Sequence, residues 1–242
     1  MEIGLPIPTK NKERRRALLT EHIRGLKSVA KLVFESGYGS TIGSIDEDYI
    51  RCGAKVADRK TVCECPIICN PKPSMSIRHG KEGKTLFGWI HAVQGRQITD
   101  LLVNNKMTAI AWEDMFECQR YVFWRNREIA GEAAIIHAFN QWGRLPYECK
   151  VSIVGQGMVS RGAVRMLERF GCNVTVYDKK TSPLLRDEIG QYDVGVNAVL
   201  WDVFRKDHLV YEEDLAKMKP GSLIVDISCD EGMGIETSHP TT

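Results

Sequence analysis

Residues 151–162 read VSIVGQGMVSRG. Four residues of strand type run straight into Gly155-Gln156-Gly157, and an amphipathic stretch with Val159, Val164, Leu167 and Phe170 follows. A strand that ends in Gly-x-Gly and opens a helix makes its tight turn at the first glycine. The second glycine lets the backbone approach a pyrophosphate, and the helix end aims free N–H groups and a positive dipole at it. A second strand, NVTVY, ends at Asp178, at about the 20-residue spacing where an acid accepts ribose hydroxyls. Together these predict a dinucleotide-binding βαβ unit, against the plainer reading of a structural turn and an unrelated aspartate. The expected cofactor site is Gly155, Gln156, Gly157, Met158, Val159, Ser160 and Asp178. Ser160 stands where the pattern has its third glycine, and is small enough for close helix packing, with Gly162 nearby. After Asp178 come Lys179, Lys180 and Thr181. The acid alone favours NAD, because it repels a 2′-phosphate. The lysines and the hydroxyl, helped by Arg161, can hold that phosphate, or the lysines can form a solvated face. Both cofactors stay open, with the balance toward NADP.

Around this unit, apolar β-runs and helical periods alternate along the whole chain, the pattern of parallel sheets covered by helices. Strands are expected at EIGLPIP, VCECPIIC, LFGWIHAV, MTAIAWEDMF, VSIVG, NVTVYD, YDVGVNAV and SLIVDIS. A helix capped by Thr20 is expected to carry Ile23, Leu26, Ala30 and Val33 on one face and to close at Gly37; DEDYIRCG, capped by Ser44 or Asp46, and ITDLLVNNK are further helices. The longest helix is expected over 125–143, with Ile129, Ala133, Ile136 and Phe139 along one side. It predicts an α/β chain of two Rossmann-like lobes linked by a long helix: a substrate domain over 1–125 and a dinucleotide-binding domain over 126–242.

Composition narrows the partners. The 242 residues carry a net charge of +2, which argues against nucleic acid or a membrane surface as the main partner. No apolar run reaches transmembrane length, and the N-terminal charges follow a strand-like segment, the reverse of a secretory signal. Eight cysteines are scattered, most in apolar contexts, and are read as reduced thiols of a cytoplasmic protein. Cys63, Cys65 and Cys69 lack a second ligand pair at zinc-site spacing, so no metal is expected.

Three residues of the first half carry candidate chemistry. Arg16 can grip a carboxylate through two parallel hydrogen bonds, or stay solvated within Arg14-Arg15-Arg16. Lys72 lies between Pro71 and Pro73, which stiffen the backbone that aims it. His91 ends the GWIH run among apolar residues, where a satisfied core histidine is the plain alternative. Lys72 and His91 both follow strands, and open α/β sheets bind ligands at the carboxyl ends of their strands.

The segments IGLPIPTKNKERRRALL, ICNPKP, GWIHAVQ, AGEAA, the Gly155 turn and DISCDEGMGIETSHPTT resemble the alanine dehydrogenase and transhydrogenase α-subunit superfamily over essentially the whole chain. GWIHAVQ, AIAWEDMF and VFWRNREIAGEAA look more like its N5-(carboxyethyl)ornithine synthase members than like alanine dehydrogenases. The resemblance implies an NAD(P)-dependent oxidoreductase, in the cell a homo-oligomer, that condenses pyruvate reductively with the side-chain amine of ornithine or lysine. Pyruvate plus ammonia and a non-catalytic nucleotide binder are the alternatives. It implies Arg16 and Lys72 as pyruvate ligands, His91 as proton donor and Asp230 as an acid near the nicotinamide. Family chains continue beyond the last motif, so a chain stopping at Thr242 is expected to be a fragment or a short homologue.

Overall fold

The structure is a computed structural model that describes residues 1–10, 13–72, 82–92, 96–202, 204–228 and 233–239. The chain divides into two compact units, Met1–Tyr121 and Val122–Thr242. Each is built on a parallel sheet, as the alternation predicts.

The first sheet has six strands: β1 (Ile3–Leu5), β2 (Leu32–Glu35), β3 (Lys55–Ala57), β4 (Ile67–Cys69), β5 (Thr85–Gly88) and β6 (Thr108–Ala111), in the spatial order β3-β2-β1-β4-β5-β6. The chain winds outward from β1 in one direction, then crosses over at β4 and winds in the other. In open α/β sheets such a reversal, here between β1 and β4, is where a ligand crevice forms at the strands' carboxyl ends. Helices α1 (Thr20–Ile23), α2 (Asp46–Arg51), α3 (Arg59–Glu64) and α4 (Arg96–Asn104) connect the strands, and a two-stranded hairpin of β7 (Phe116–Glu117) and β8 (Arg120–Tyr121) ends the unit. Val33, Val62, Ile68, Leu86 and Leu102 form its core.

Three expectations fail here for physical reasons. The helix expected over Thr20–Gly37 is a single turn, Thr20–Ile23, because Gly25 interrupts it and Leu32–Glu35, rich in β-formers, pairs with β1 instead (Ile3 opposite Leu32). The strand expected over VCECPIIC is half helix. The Asp58 carboxylate caps α3 by accepting from the Thr61 N–H at 2.8 Å, and only Ile67–Cys69, after Pro66, is extended. Asp46 starts α2 but does not cap it; its carboxylate accepts from Ser36 Oγ and the Gly37 N–H.

The second unit opens on α5 (Trp124–Trp142), followed by β9 (Lys150–Val154), α6 (Met158–Arg169), β10 (Asn173–Tyr177), α7 (Leu185–Glu188), β11 (Val194–Asn197), α8 (Glu212–Leu215) and β12 (Leu223–Asp226). Its sheet order is β10-β9-β11-β12, all parallel, with Val151 facing Val174 on one side and Val194 on the other. Ile135, Phe139, Ile153, Leu167 and Val196 fill the core beneath. Of the side expected to be buried on α5, only Phe139 is: Ile129 and Ile136 are each 48% exposed, and Glu128, Gly131 and Ile135 join Phe139 inside. The cause is a crossing of α5 and α6 at backbone contact. A Cβ on Gly131 would lie 2.0 Å from the Val159 carbonyl, and one on Gly162 2.0 Å from the Glu128 carbonyl. Two glycines facing each other select the face, ahead of the larger apolar side chains. Among the described residues no helix is long and apolar enough to cross a membrane.

Candidate functional site

In the first unit, the carboxyl ends of β4 and β5 bring two expected residues together. Lys72 Nζ lies 3.2 Å from His91 Nε2. Asn70, fully buried just after β4, fixes the lysine's backbone: its N–H bonds the Phe87 carbonyl and its side-chain oxygen accepts the Lys72 N–H at 2.8 Å. Gly88 permits this fit, since a Cβ there would sit 2.0 Å from the Asn70 carbonyl. His91 takes a left-handed φ of +53°.

Burial pushes the Lys72 ammonium below its ordinary value, and the neighbouring Arg15 and Lys10 charges push it further. Burial likewise lowers His91, with Lys72 as the next cause, while Glu113 opposes the shift in both groups. With Nζ charged, and so a donor only, the ring nitrogen facing it accepts, which requires a neutral imidazole with its proton on Nδ1.

Arg16 does not join this pair. Its Nε donates to the Tyr38 carbonyl at 2.5 Å, its Nη2 to Thr41 Oγ1 at 3.1 Å, and its guanidinium lies over the Tyr38 ring. Arg15 carries the charge that acts on both Lys72 and His91, and its guanidinium lies 5.5 Å from the centre of the Trp89 ring. Glu13 holds it through Nε at 2.9 Å and Nη2 at 2.6 Å. Burial would raise the Glu13 carboxyl, but these bonds keep it below the usual range. Adjacent side chains in extended backbone point apart, so the choice among three consecutive arginines is decided by the path of the loop. Glu113 was absent from the sequence expectations too. It follows β6, and the rule that singled out Lys72 and His91 at strand ends applies to it equally.

In the second unit the glycine turn is formed as expected. Gly155 has φ +110° and donates its N–H to the Tyr177 carbonyl, while a Cβ on it would press within 3.1–3.3 Å of Val199 and the Ala198 carbonyl. Gly157 is the N-cap of α6, without a side-chain cap, and a Cβ there would meet nothing within 4 Å. The space above Gly157 is an open cradle facing the unpaired N–H groups of the helix's first turn, which end at Met158, Val159 and Ser160. Ser160 is 1% exposed and packs inward. A pyrophosphate group fits these residues.

Asp178 turns one carboxylate oxygen into its own loop, where it accepts from the Lys180 and Thr181 N–H groups and from Thr181 Oγ1. Those bonds, from Thr181 first, hold its carboxyl below the usual range. Its other oxygen accepts no hydrogen bond among the described residues, and Lys179 and Lys180 make no ion pair there. Arg161 is already engaged, at 3.5 Å from the buried Glu128, which also receives Arg125 and Arg165. Asp230 lies outside the described residues. His239 lines an open groove with Ala133, Ile224 and Asp226. Cys63, Cys65 and Cys69 are buried, and burial raises the Cys69 thiol to about 12.

Residues 4–122 match the N-terminal domain of the alanine dehydrogenase/PNT family and residues 179–242 its C-terminal domain. The chain belongs to that family. Membership makes it an alanine dehydrogenase-like oxidoreductase of the nicotinamide-nucleotide class. An N(5)-(carboxyethyl)ornithine synthase from Clostridium botulinum is 30% identical over all of this chain and 81% of its own length. An alanine dehydrogenase from Bacillus subtilis is 29% identical over all of this chain and 74% of its own. A transhydrogenase structure from Sinorhizobium meliloti shares the fold with a TM-score of 0.83 and 21% identity, covering 98% of this chain and 80% of that one. The domain matches leave residues 123–178 between them, the stretch with α5, the glycine turn and β10.

Proposed function

We propose that the chain condenses pyruvate reductively with the side-chain amine of ornithine or lysine, giving an N-(1-carboxyethyl) amino acid. The observation that carries this reading is the Lys72–His91 pair, with Arg15 beside it, at the carboxyl ends of β4 and β5, next to the sheet's topological switch. Arg15, in place of Arg16, receives the pyruvate carboxylate together with Lys72, whose ammonium also polarises the ketone. The neutral amine attacks the ketone carbon. His91 relays protons to the oxygen as it leaves as water and the imine forms. A nicotinamide nucleotide, when bound, would supply hydride to the carbon of the protonated imine, giving the secondary amine. Gly155, Gly157 and the α6 N-terminus take its pyrophosphate, and Asp178 the ribose. Lys179 and Lys180, without ion-pair partners among the described residues, favour NADPH over NADH. The setting proposed is a cytoplasmic homo-oligomer with reduced thiols.

The test is loss of reduced-nicotinamide absorbance with pyruvate, comparing NADPH with NADH and ornithine, lysine, ammonia or no amine. Oxidation that requires ornithine or lysine is the expected result. Oxidation with ammonia alone moves the chain to alanine dehydrogenase chemistry. Nucleotide binding without oxidation makes it a binding module.

A further inference from the structure

Five non-glycine residues among those described have a left-handed φ. Four are set by local turns. Lys106 ends α4 in a Schellman arrangement, with the Lys106 N–H on Val103 O and the Met107 N–H on Leu102 O. Cys118 and Gln119 are the two turn residues of the β7–β8 hairpin, where both must have positive φ. Glu148 is third in a turn closed by the Cys149 N–H on Pro146 O. Among the described residues His91 has no such local cause. What holds it is a carboxylate 22 residues away: Glu113 Oε1 accepts the His91 N–H at 2.5 Å and Oε2 accepts the Ile90 N–H at 3.1 Å. Two successive N–H groups around a left-handed residue converge on one anion, as in a backbone nest. A strained conformation at a bulky residue persists only where its surroundings over-determine it.

The geometry points to Glu113 as the positioning residue of the site: its bidentate grip on the Ile90 and His91 amides holds the left-handed turn and so sets the imidazole against Lys72. Its chemical part, within the reading given above, is to aim the proton relay without touching substrate. The isosteric Glu113→Gln variant cannot serve. Its single side-chain oxygen accepts one amide, and its NH₂ group would face the other donor. Glu113→Asp keeps the charge but is one methylene too short to span both amides.

The experiment follows the full-length protein by NMR and by kinetics. In the free wild type, the Ile90 and His91 amide protons should be protected from exchange, and His91 should titrate as a single site. In Glu113→Gln both amides should exchange faster. The His91 midpoint should fall further, because the carboxylate that opposes the Lys72, Arg15 and Lys10 charges is gone. In Glu113→Asp the midpoint should stay near wild type while the amides still exchange fast. With pyruvate and amine, kcat should fall about 100-fold in both variants, the scale of a misplaced catalytic group, with the pyruvate KM moved less than about threefold. Unchanged Ile90 and His91 amides in a folded Glu113→Gln protein overturn the clamp, and Glu113→Asp reads the same if Glu113→Gln fails to fold. Loosened amides with wild-type kcat overturn the positioning role. A wild type inactive on every amine counts against the proposed reaction alone, and the amide exchange still decides the clamp.

Discussion

At Gly155 and Gly157 the protein contributes backbone, and at Lys72 and His91 it contributes side chains. The glycine turn is made by what is missing: no Cβ at 155 to strike Val199, none at 157 to fill the cradle. The first-unit pair is made by what is brought in. Asn70 sets the lysine's backbone, Glu113 the histidine's, and Glu13 the neighbouring arginine. A backbone site is specified within one short stretch of chain. A side-chain site is specified by groups far apart in sequence, each holding another. The two should therefore fail differently when mutated.

The largest effect is expected at the side-chain site. His91→Ala should lower kcat by about 10²–10⁴-fold, the usual worth of a proton relay, while urea denaturation shows nearly unchanged stability. A kinetic loss below tenfold would erase the proposed division between the sites.

Next comes the crossing under the glycine turn. Gly162→Ala sets a Cβ against the Glu128 carbonyl and should destabilise the second unit by about 1–3 kcal/mol or more, read from the denaturation midpoint. Arg15→Ala should then raise the pyruvate KM by about 10–100-fold, as expected for about 1.5–3 kcal/mol of charged hydrogen bonding. Arg16→Ala should change KM less than threefold and act on stability, through the Tyr38 loop that it braces. Equal KM effects would return the carboxylate to Arg16.

Smaller still, Lys179→Ala with Lys180→Ala should weaken NADPH binding with little change for NADH, followed by fluorescence titration. The smallest effect on the free protein is expected at Gly157→Ala, within about 0.5 kcal/mol, because the new methyl meets only solvent. The same methyl should weaken nucleotide binding, and that contrast sharpens the comparison most.

Legibility in the sequence followed the same division. Gly155, Gly157, β9, α6, β10 and Asp178 were readable because their demands are local: a tight turn, an amphipathic period, a spacing. Lys72 and His91 were readable as residues at strand ends. Their supports were not. Glu113 reaches across 22 residues, and Arg15 differs from Arg16 only through the path of an irregular loop. The helix expected from Thr20 failed because its apolar spacing also fits a short turn followed by a strand, and pairing with β1 decided between them. The side of α5 was misjudged because larger apolar residues were weighed above Gly131.

The Gly131–Gly162 crossing has one more consequence. Where two helices meet main chain to main chain, no rotamer can yield to let one roll over the other. The α6 N-terminus is therefore expected to be as still without a nucleotide as with one. If a phosphate docks there, little conformational entropy should be lost, and amide exchange along α6 beyond its first turn should barely change on binding.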